Sequence, residues 1–383
     1  MASSVTSKRR IPGPLQLCGY AWRAAMMLDR HTWIARGNRG QFYRDAWREA
    51  AAQCGANFEE LPDGGCRITR GGASTLVRNN TTTLDDSATY ALALDKPRVL
   101  DKLKEHELPV PDHVAFSIND RSQAYRFLER YPECVVKPAS GTGAGRGVTT
   151  GVKTRSQLIT AAVRASGWGP HMLIEQQVRG DNLRLLYLDG ELIDAIRRNP
   201  PSLIGDGKSS IAQLVSRLNR QRISGGYRTA QVVLRHDMDM RQTLASQQLS
   251  WNAVPQQGRK VRLKTVINDN RADENERIVD QLAPEVVESG RRAAEVLGVR
   301  LAGVDVITPD LTRPLEAAGG IILEMNTAPG YYFHYFTANG PCRVAEPVLE
   351  ACLAHAESAR TPDQARTPPR EKVAIGSSSP RMT

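Results

Sequence analysis

The sequence predicts an α+β fold built from more than one lobe, on three observations. Short apolar strand segments and amphipathic helices are mixed along the chain, without the regular βα alternation of a doubly wound parallel sheet. Asp189-Gly190, between the strand segments Leu183–Leu188 and Glu191–Ile196, is a two-residue hairpin turn, which joins antiparallel strands. With 383 residues and 40% hydrophobic composition, the chain can bury the cores of two or three lobes.

Taken in order, residues 1–10 are polar and basic with no apolar stretch behind them, so they read as disordered and not as a secretory signal. Residues 11–94 form an N-terminal segment or small α/β domain. Tyr43–Ala52 has helical character, and Gly64-Gly65 and Gly71-Gly72 punctuate short strand-like pieces. From Asp95 the pattern becomes regular. Helices are expected at Asp95–Glu107, Arg121–Arg130, Ser156–Ala165 and Ile211–Arg222. Another is expected at Pro284–Leu297, with proline near its start and Gly298 after its end. Strands are expected at Cys134–Lys137, Val148–Val152, Met172–Gln176, Val304–Ile307 and Ile321–Met325, beside the hairpin pair. The proline- and serine-rich residues 358–383 read as a disordered tail.

Charge and cysteine content narrow the function classes. The formal charge is +10, but no basic run reaches five residues and aromatic content is 5%, so nucleic acid is disfavoured as the main partner. No apolar run approaches the roughly 18 residues of a membrane helix. The six cysteines form no CxxC pair and read as reduced thiols of a cytoplasmic protein. A homo-oligomer is compatible with the sequence.

Three clusters carry chemistry. Gly141-Thr142-Gly143-Ala144-Gly145-Arg146-Gly147 lies between two strands, where missing side chains let backbone N–H groups approach phosphate oxygens. Its spacing is not that of the dinucleotide fingerprint. Gly207-Lys208-Ser209 is not a Walker A loop, because Ser202 stands where its first glycine belongs. Lys137 ends the strand entering the glycine loop, and Lys96 opens a helix upstream; either can aim a compact positive charge at phosphates. The second cluster is acidic. Strand alternation in Ile321–Asn326 puts Ile322, Glu324 and Asn326 on one face, and Asp305 lies in the apolar strand Val304-Asp305-Val306. Their oxygens suit Mg²⁺ if the two strand ends meet; otherwise the acids lie apart or pair with nearby arginines. The third set is cationic: Arg184 at a strand start and Arg197-Arg198 at the end of the paired strand could hold a phosphate or a carboxylate bidentately.

In this order the pieces resemble the ATP-grasp superfamily, and within it the ATP-grasp region of cyanophycin synthetases. The resemblance runs from about Asn79 to Arg343. It is carried by Asp95-Lys96 with Leu108-Pro109-Val110-Pro111, by Val135-Val136-Lys137-Pro138 with Gly145-Arg146-Gly147-Val148, and by Ile204-Gly205-Asp206-Gly207-Lys208. Ala302-Gly303-Val304-Asp305, Arg313–Gly320 and Glu324-Met325-Asn326-Thr327-Ala328-Pro329-Gly330 complete it.

The resemblance implies an ATP-grasp unit over residues 95–357, with a lid at about 130–180, a C-terminal lobe at about 181–357, and the nucleotide held between two α+β lobes. It implies an ATP-dependent ligase that joins a carboxylate to an amine through an acyl phosphate, with two Mg²⁺ ions, or Mn²⁺ in their place. Lys96 and Lys137 would contact ATP phosphates, with Gly143, Gly145, Arg146 and Gly147 above them. Glu175, Gln176 and Val178 would form the adenine hinge, and Asn182 would lie near the ribose. Arg184 and Arg198 would hold the transferring phosphate or the substrate carboxylate, and Asp305, Glu324 and Asn326 would bind the metal. Gln176 and Gln177 stand where the family usually has an acid and an aromatic residue, and Tyr331-Tyr332-Phe333-His334 is more aromatic than expected beside an acceptor site. Cyanophycin synthetases continue into a second, Mur-ligase-like domain that this sequence lacks, so the full polymer cycle is not expected of this chain alone. A ligase tailoring small metabolites or peptides, or an ATP-binding regulatory protein without turnover, are the other readings.

Overall fold

The computed structural model describes residues 13–27, 30–143, 145–230, 232–267 and 271–360. The expected disordered segment 1–10 and most of the expected tail lie outside them. The chain opens with helices α1 (Pro14–Met27) and α2 (Arg30–Gln53), strands β1 (Asn57–Glu60), β2 (Cys66–Arg70) and β3 (Ala73–Val77), and helix α3 (Ser87–Ala93). There follow α4 (Lys96–Glu105), β4 (His113–Ser117), α5 (Ser122–Arg130), β5 (Cys134–Pro138), β6 (Thr149–Val152), α6 (Arg155–Ser166) and β7 (His171–Gln176). Next are β8 (Asp181–Leu188), β9 (Glu191–Arg198), β10 (Ser202–Ile204), α7 (Ile211–Ser224), α8 (Met238–Ser246), β11 (Lys260–Arg262) and β12 (Asn275–Arg277). The last elements are α9 (Pro284–Leu297), β13 (Leu301–Thr308), α10 (Leu315–Ala318), β14 (Ile321–Asn326), α11 (Tyr332–Tyr335) and α12 (Ala345–Arg360). Helix α12 therefore runs past position 357, into the first residues of the expected tail.

Local chemistry sets many of these boundaries. Thr154 and Ser210 each close a capping box with the glutamine three residues on, which fixes the starts of α6 and α7. Pro284 opens α9, and Gly298 ends it in the left-handed conformation at φ 67°. Asp189 and Gly190 both have positive φ, as a primed hairpin turn requires, and β8 and β9 pair antiparallel around them.

Two sheets position the site. The five-stranded sheet has the order β12-β9-β8-β13-β14, and the four-stranded sheet has the order β4-β7-β5-β6. Among the described residues every strand pairing is antiparallel, which fits the α+β expectation. The first strand of the four-stranded sheet begins at His113, ahead of the expected lid boundary near 130. One face of this sheet buries Val136, Met172 and Ile174 against Phe127 of α5 and Leu158 and Ala162 of α6. One face of the five-stranded sheet buries Leu183, Leu185, Tyr187, Val304 and Val306 against Val286, Ala293 and Leu297 of α9 and Val99 and Leu103 of α4. The opposite face meets a cluster in which Leu186 and Leu301 pack with Phe42, Tyr43 and Trp47 of α2, Tyr331 and Tyr332, and Val348 and Leu349 of α12. A smaller core around Leu203, Leu214, Leu244 and Leu263 holds the excursion between β9 and β12 together.

The second core is tightly packed. Tyr187 is fully buried, its hydroxyl donates to the carbonyl of Val287 at 2.7 Å, and a β carbon on Gly290 would stand 2.3 Å from that hydroxyl oxygen. Gly290→Val should therefore destabilise the protein by about 1–3 kcal/mol through overpacking, read as a lowered urea midpoint at unchanged m-value.

Candidate active site

Lys137 ends β5, and Glu175 lies near the end of the adjacent strand β7. Their side chains share one face of the four-stranded sheet, and Lys137 Nζ sits 2.7 Å from Glu175 Oε2, with both residues almost fully buried. Glu175 Oε2 lies off the hydrogen-bond direction, so the contact is a close ion pair. The glycine loop leaves β5 directly. Gly141, Gly145 and Gly147 have φ of 71°, 68° and 77°, which L side chains rarely adopt. No heavy atom lies within 4 Å of where a β carbon on Gly143 would point, so that backbone faces open space. Arg146 Nε donates to the Gly143 carbonyl at 3.1 Å and folds the loop on itself. Residue 144 lies outside the described residues.

Helix α4 is docked onto this loop. The Lys96 backbone N–H donates to Ala139 O at 3.0 Å, and Asp95 forms a bridge with Ser140. Lys96 Nζ donates to the Thr142 carbonyl at 2.8 Å and lies 3.4 Å from Glu324 Oε1. One ammonium group thus touches both the glycine loop and the acidic strand β14.

The five-stranded sheet supplies the rest. Register pairs Arg184 with Ile196 and with Asp305, and pairs Asp305 with Glu324. Gly303 is opposite both Leu186 and Asn326, and Leu186 is opposite Asp194. Because directly opposed residues project to the same face, Arg184, Asp194, Arg198, Asp305, Glu324 and Asn326 all emerge on the side away from α9. Asn182 shares this face, and its Oδ1 is buried without a hydrogen-bond partner. Ile322 departs from the expectation. A bulge between Glu324 and Ile322 pairs Ile322 with Val306, turning Ile322 into the core beneath α9 and leaving Glu324 and Asn326 on the site face.

The two strands that carry the acids meet, with Asp305 opposite Glu324, and Asp305 also pairs with an arginine. Arg184 grips it bidentately, Nε to Oδ1 at 2.6 Å and Nη2 to Oδ2 at 2.8 Å, and both side chains are buried. Burial alone would push the Asp305 carboxyl up, but Arg184 and Arg198 outweigh it and hold the group below its ordinary value. For Arg198 burial prevails, with Arg184 adding to it against the pull of Asp305, and the guanidinium is brought down to about 10. Arg198 lies 5.0 Å from the ring centroid of Phe333. Arg197 points to the other side, pairing with Asp181 at 2.9 Å and Glu276 at 3.0 Å.

Of the residues expected to form a hinge, Gln176 closes β7 with its N–H donating to Asp112 O at 2.9 Å, and Val178 lies in the short connection to β8. Gly180 in that connection packs on the Thr308 backbone, 2.4 Å from where its β carbon would be. Gln177 Oε1 accepts from the Gly151 N–H at 2.7 Å.

For a metal the donor set is Asp305, Glu324 and Asn326, all hard oxygen donors. Among the described residues no group of three or more His, Cys, Asp or Glu side chains is arranged to hold an ion. Two carboxylates and an amide fit Mg²⁺, which takes few protein ligands and completes its shell with phosphate oxygens and water. A cavity of about 160 Å³ lies elsewhere, between β6, α6 and α8, lined by Thr149, Gln157, Arg164 and Met238.

Sequence reasoning missed two features. His334 Nδ1 lies 2.7 Å from Asp194 Oδ2, both fully buried, while Arg277 Nε donates to Asp194 Oδ1 at 2.7 Å. A lone acid in the apolar run Leu192–Ile196 was the available signal. Helix α2 also reaches the loop after β14: the Tyr331 N–H donates to Tyr43 Oη at 3.1 Å, and Asn80 Nδ2 donates to the Ala328 carbonyl. No sequence signal linked those segments.

No protein-family model matches the chain. Curated relatives do. A cyanophycin synthetase of Trichormus variabilis is 28% identical over 274 residues, covering 71% of this chain and 30% of that protein. The glutathione biosynthesis bifunctional protein GshAB of Streptococcus agalactiae is 26% identical over 378 residues, covering 90% of this chain and 50% of that one. The chain thus spans about a third to a half of the relatives' length. A bifunctional glutathione synthetase from Pasteurella multocida superposes with a TM-score of 0.55 at 21% identity, over 82% of this chain and 43% of that chain. The fold is ATP-grasp. Among the described residues no helix is long and apolar enough to cross a membrane, and all six cysteines are free thiols.

The Arg184–Asp305 pair gives a direct test of the site's electrostatics. Removing one partner strands a buried charge, so Arg184→Met should cost about 3–5 kcal/mol in urea unfolding. Arg184→Met combined with Asp305→Leu should recover most of that loss, since neither charge then remains.

Proposed function

We propose that this chain is an ATP-dependent carboxylate–amine ligase that forms an amide through an acyl phosphate. The observation that carries the reading is the position of Lys96, in contact with both the Thr142 carbonyl of the glycine loop and Glu324 of β14. Phosphate-binding backbone and metal-binding oxygens thereby border one site. The relatives, cyanophycin synthetase and GshAB, direct the substrates toward amino acids or short peptides.

Lys96, Lys137 and the N–H groups around Gly143, Gly145, Arg146 and Gly147 would hold the ATP phosphates. Glu175, Gln176 and Val178 would meet the adenine and Asn182 the ribose, its buried Oδ1 being an acceptor in need of a donor. Asp305, Glu324 and Asn326 would hold the Mg²⁺ ions, two in number, with Mn²⁺ an acceptable substitute. When bound, the metal supplies positive charge to phosphoryl oxygens. Nucleotide and metal bring charges of both signs, so the paired Arg184 and Asp305 can exchange partners without leaving either one buried alone.

The substrate carboxylate oxygen attacks the γ-phosphorus, the bond to ADP breaks, and Arg184 and Arg198 offset charge on the transferring group. The amine nitrogen then attacks the acyl carbon, the acyl–phosphate bond breaks, and the amine proton leaves with phosphate or solvent. The aromatic loop carrying Phe333 beside Arg198 favours a small-metabolite or peptide acceptor over polymer synthesis. A cytoplasmic setting suits the free thiols.

ADP release screened against pairs of amino acids and short peptides, with mass detection of the amide, tests the reading; no pair giving both ADP and amide would reject it. Glu324→Gln should lower kcat/KM by about 10²–10³ with the fold retained by circular dichroism. Unchanged turnover in that variant would remove Glu324 from the site.

A further inference from the structure

Trp168 follows the C-terminus of α6 and stands against the glycine loop. A β carbon on Gly147 would lie 2.8 Å from Trp168 Cδ1 and 3.1 Å from its Nε1. The Arg146 guanidinium sits 5.2 Å from the indole centroid while its Nε is bound to the Gly143 carbonyl. Loop and ring are therefore in contact at two consecutive loop residues. Trp168 Nε1 is buried and has no hydrogen-bond partner among the described residues, so a donor is held beside the loop with nothing to receive it.

The other neighbour of Trp168 is the N-terminal helix. Arg23 of α1 lies 4.5 Å from the same indole centroid, and its Nη1 donates to the Gly167 carbonyl at 3.3 Å. Helix α1 reaches Gly167 by backbone-to-backbone contact. A β carbon on Gly19 would stand 2.4 Å from Val163 O and 2.7 Å from Gly167 N, and one on Gly167 would stand 2.4 Å from Gly19 O. No other residue type fits either position without moving the helix off α6. The glycine pair is a docking geometry in which the absence of side chains sets the distance.

We propose that Trp168 is a positioning residue of the phosphate loop, and that α1, docked through Gly19 and Arg23, holds it in place. The inference rests on the ATP-binding reading and adds the part of the chain before residue 28 to the nucleotide site. An indole between two guanidinium groups suits this task, because cation–π contacts fix the ring relative to both without a covalent or strand connection. The N-terminal segment then acts on the site through the loop, without touching the reacting atoms.

The test is ATP·Mg affinity by calorimetry on the full chain, which needs no substrate pair, followed by steady-state kinetics once a pair is known. Gly19→Leu and Trp168→Ala should each weaken ATP binding about tenfold, the worth of one or two cation–π contacts. kcat at saturating ATP should stay within about threefold, because the loss is in binding. Trp168→Phe keeps an aromatic face for both arginines and should restore most of the affinity. Unchanged affinity in both Gly19→Leu and Trp168→Ala would overturn the proposal. So would equal loss of kcat and affinity with no rescue by phenylalanine, the signature of a merely structural role. Wild-type protein that binds no ATP would overturn the ligase reading itself, a result separable from the variants' behaviour.

Discussion

The site depends on the register of four antiparallel strands. Because side chains alternate strictly along a strand, placing Arg184 opposite Asp305 and Asp305 opposite Glu324 also places Asp194, Arg198 and Asn326 on the same face. A slip of one residue in β13 would turn Asp305 toward α9 and Val304 or Val306 toward the charges. The apolar half of each strand prevents this. Leu183, Leu185, Val304 and Val306 are all fully buried beneath α9, and exchanging any of them with its polar neighbour would strand a charge in that core. The hydrophobic effect thus aligns the charged residues. The one irregularity, the bulge at β14, lets Ile322 join the core while Glu324 and Asn326 keep facing the cleft.

Once aligned, the charges are expensive to bury, and the structure neutralises them in pairs. Lys137 meets Glu175, Arg184 meets Asp305, and Lys96 meets Glu324. Buried pairs of this kind are weak contributors to stability, since desolvation consumes most of the Coulomb gain. Well-packed apolar residues at these positions would serve the fold at least as well. Under the proposed function, charge retained at these three points would suit a polyanionic ligand with cations of its own, able to take up each member of a pair separately.

Much of this was legible in the sequence because it is local. The Asp189-Gly190 hairpin, the glycine loop after β5 and the two ends of α9 are each set by residues a few positions apart. Glu324 and Asn326 could be placed together from alternation alone, but Ile322 could not, since a bulge depends on the partner strand. The helical character of Tyr43–Ala52 was legible and lies within α2, but α1 and the first half of α2 were hidden for another reason. Gly37, Gly40 and several polar residues interrupt any apolar stripe in α2, whose stability comes from packing Phe42, Tyr43 and Trp47 into a cluster assembled from distant segments. The Asp194–His334 contact spans 140 residues and left only an acid among apolar neighbours to suggest it.

The loop following β14 joins the N-terminal segment to the proposed site. Three separate elements hold it. Asp194 of β9 fixes His334, Gly303 of β13 leaves just enough room for Pro329, and Tyr43 of α2 receives the Tyr331 N–H. A β carbon at Gly303 would come within 2.7 Å of Pro329 Cβ and 3.3 Å of Arg184 Nη1, so the loop and Arg184 share one tight space. Anchored on three sides, such a loop has little conformational freedom left to lose when a second substrate arrives. Under the proposed ligase reading, selectivity for the amine would come from a preformed shape set by aromatic packing between α2 and the sheet, and a change in α2 would alter that shape before it altered Arg184 or Asp305.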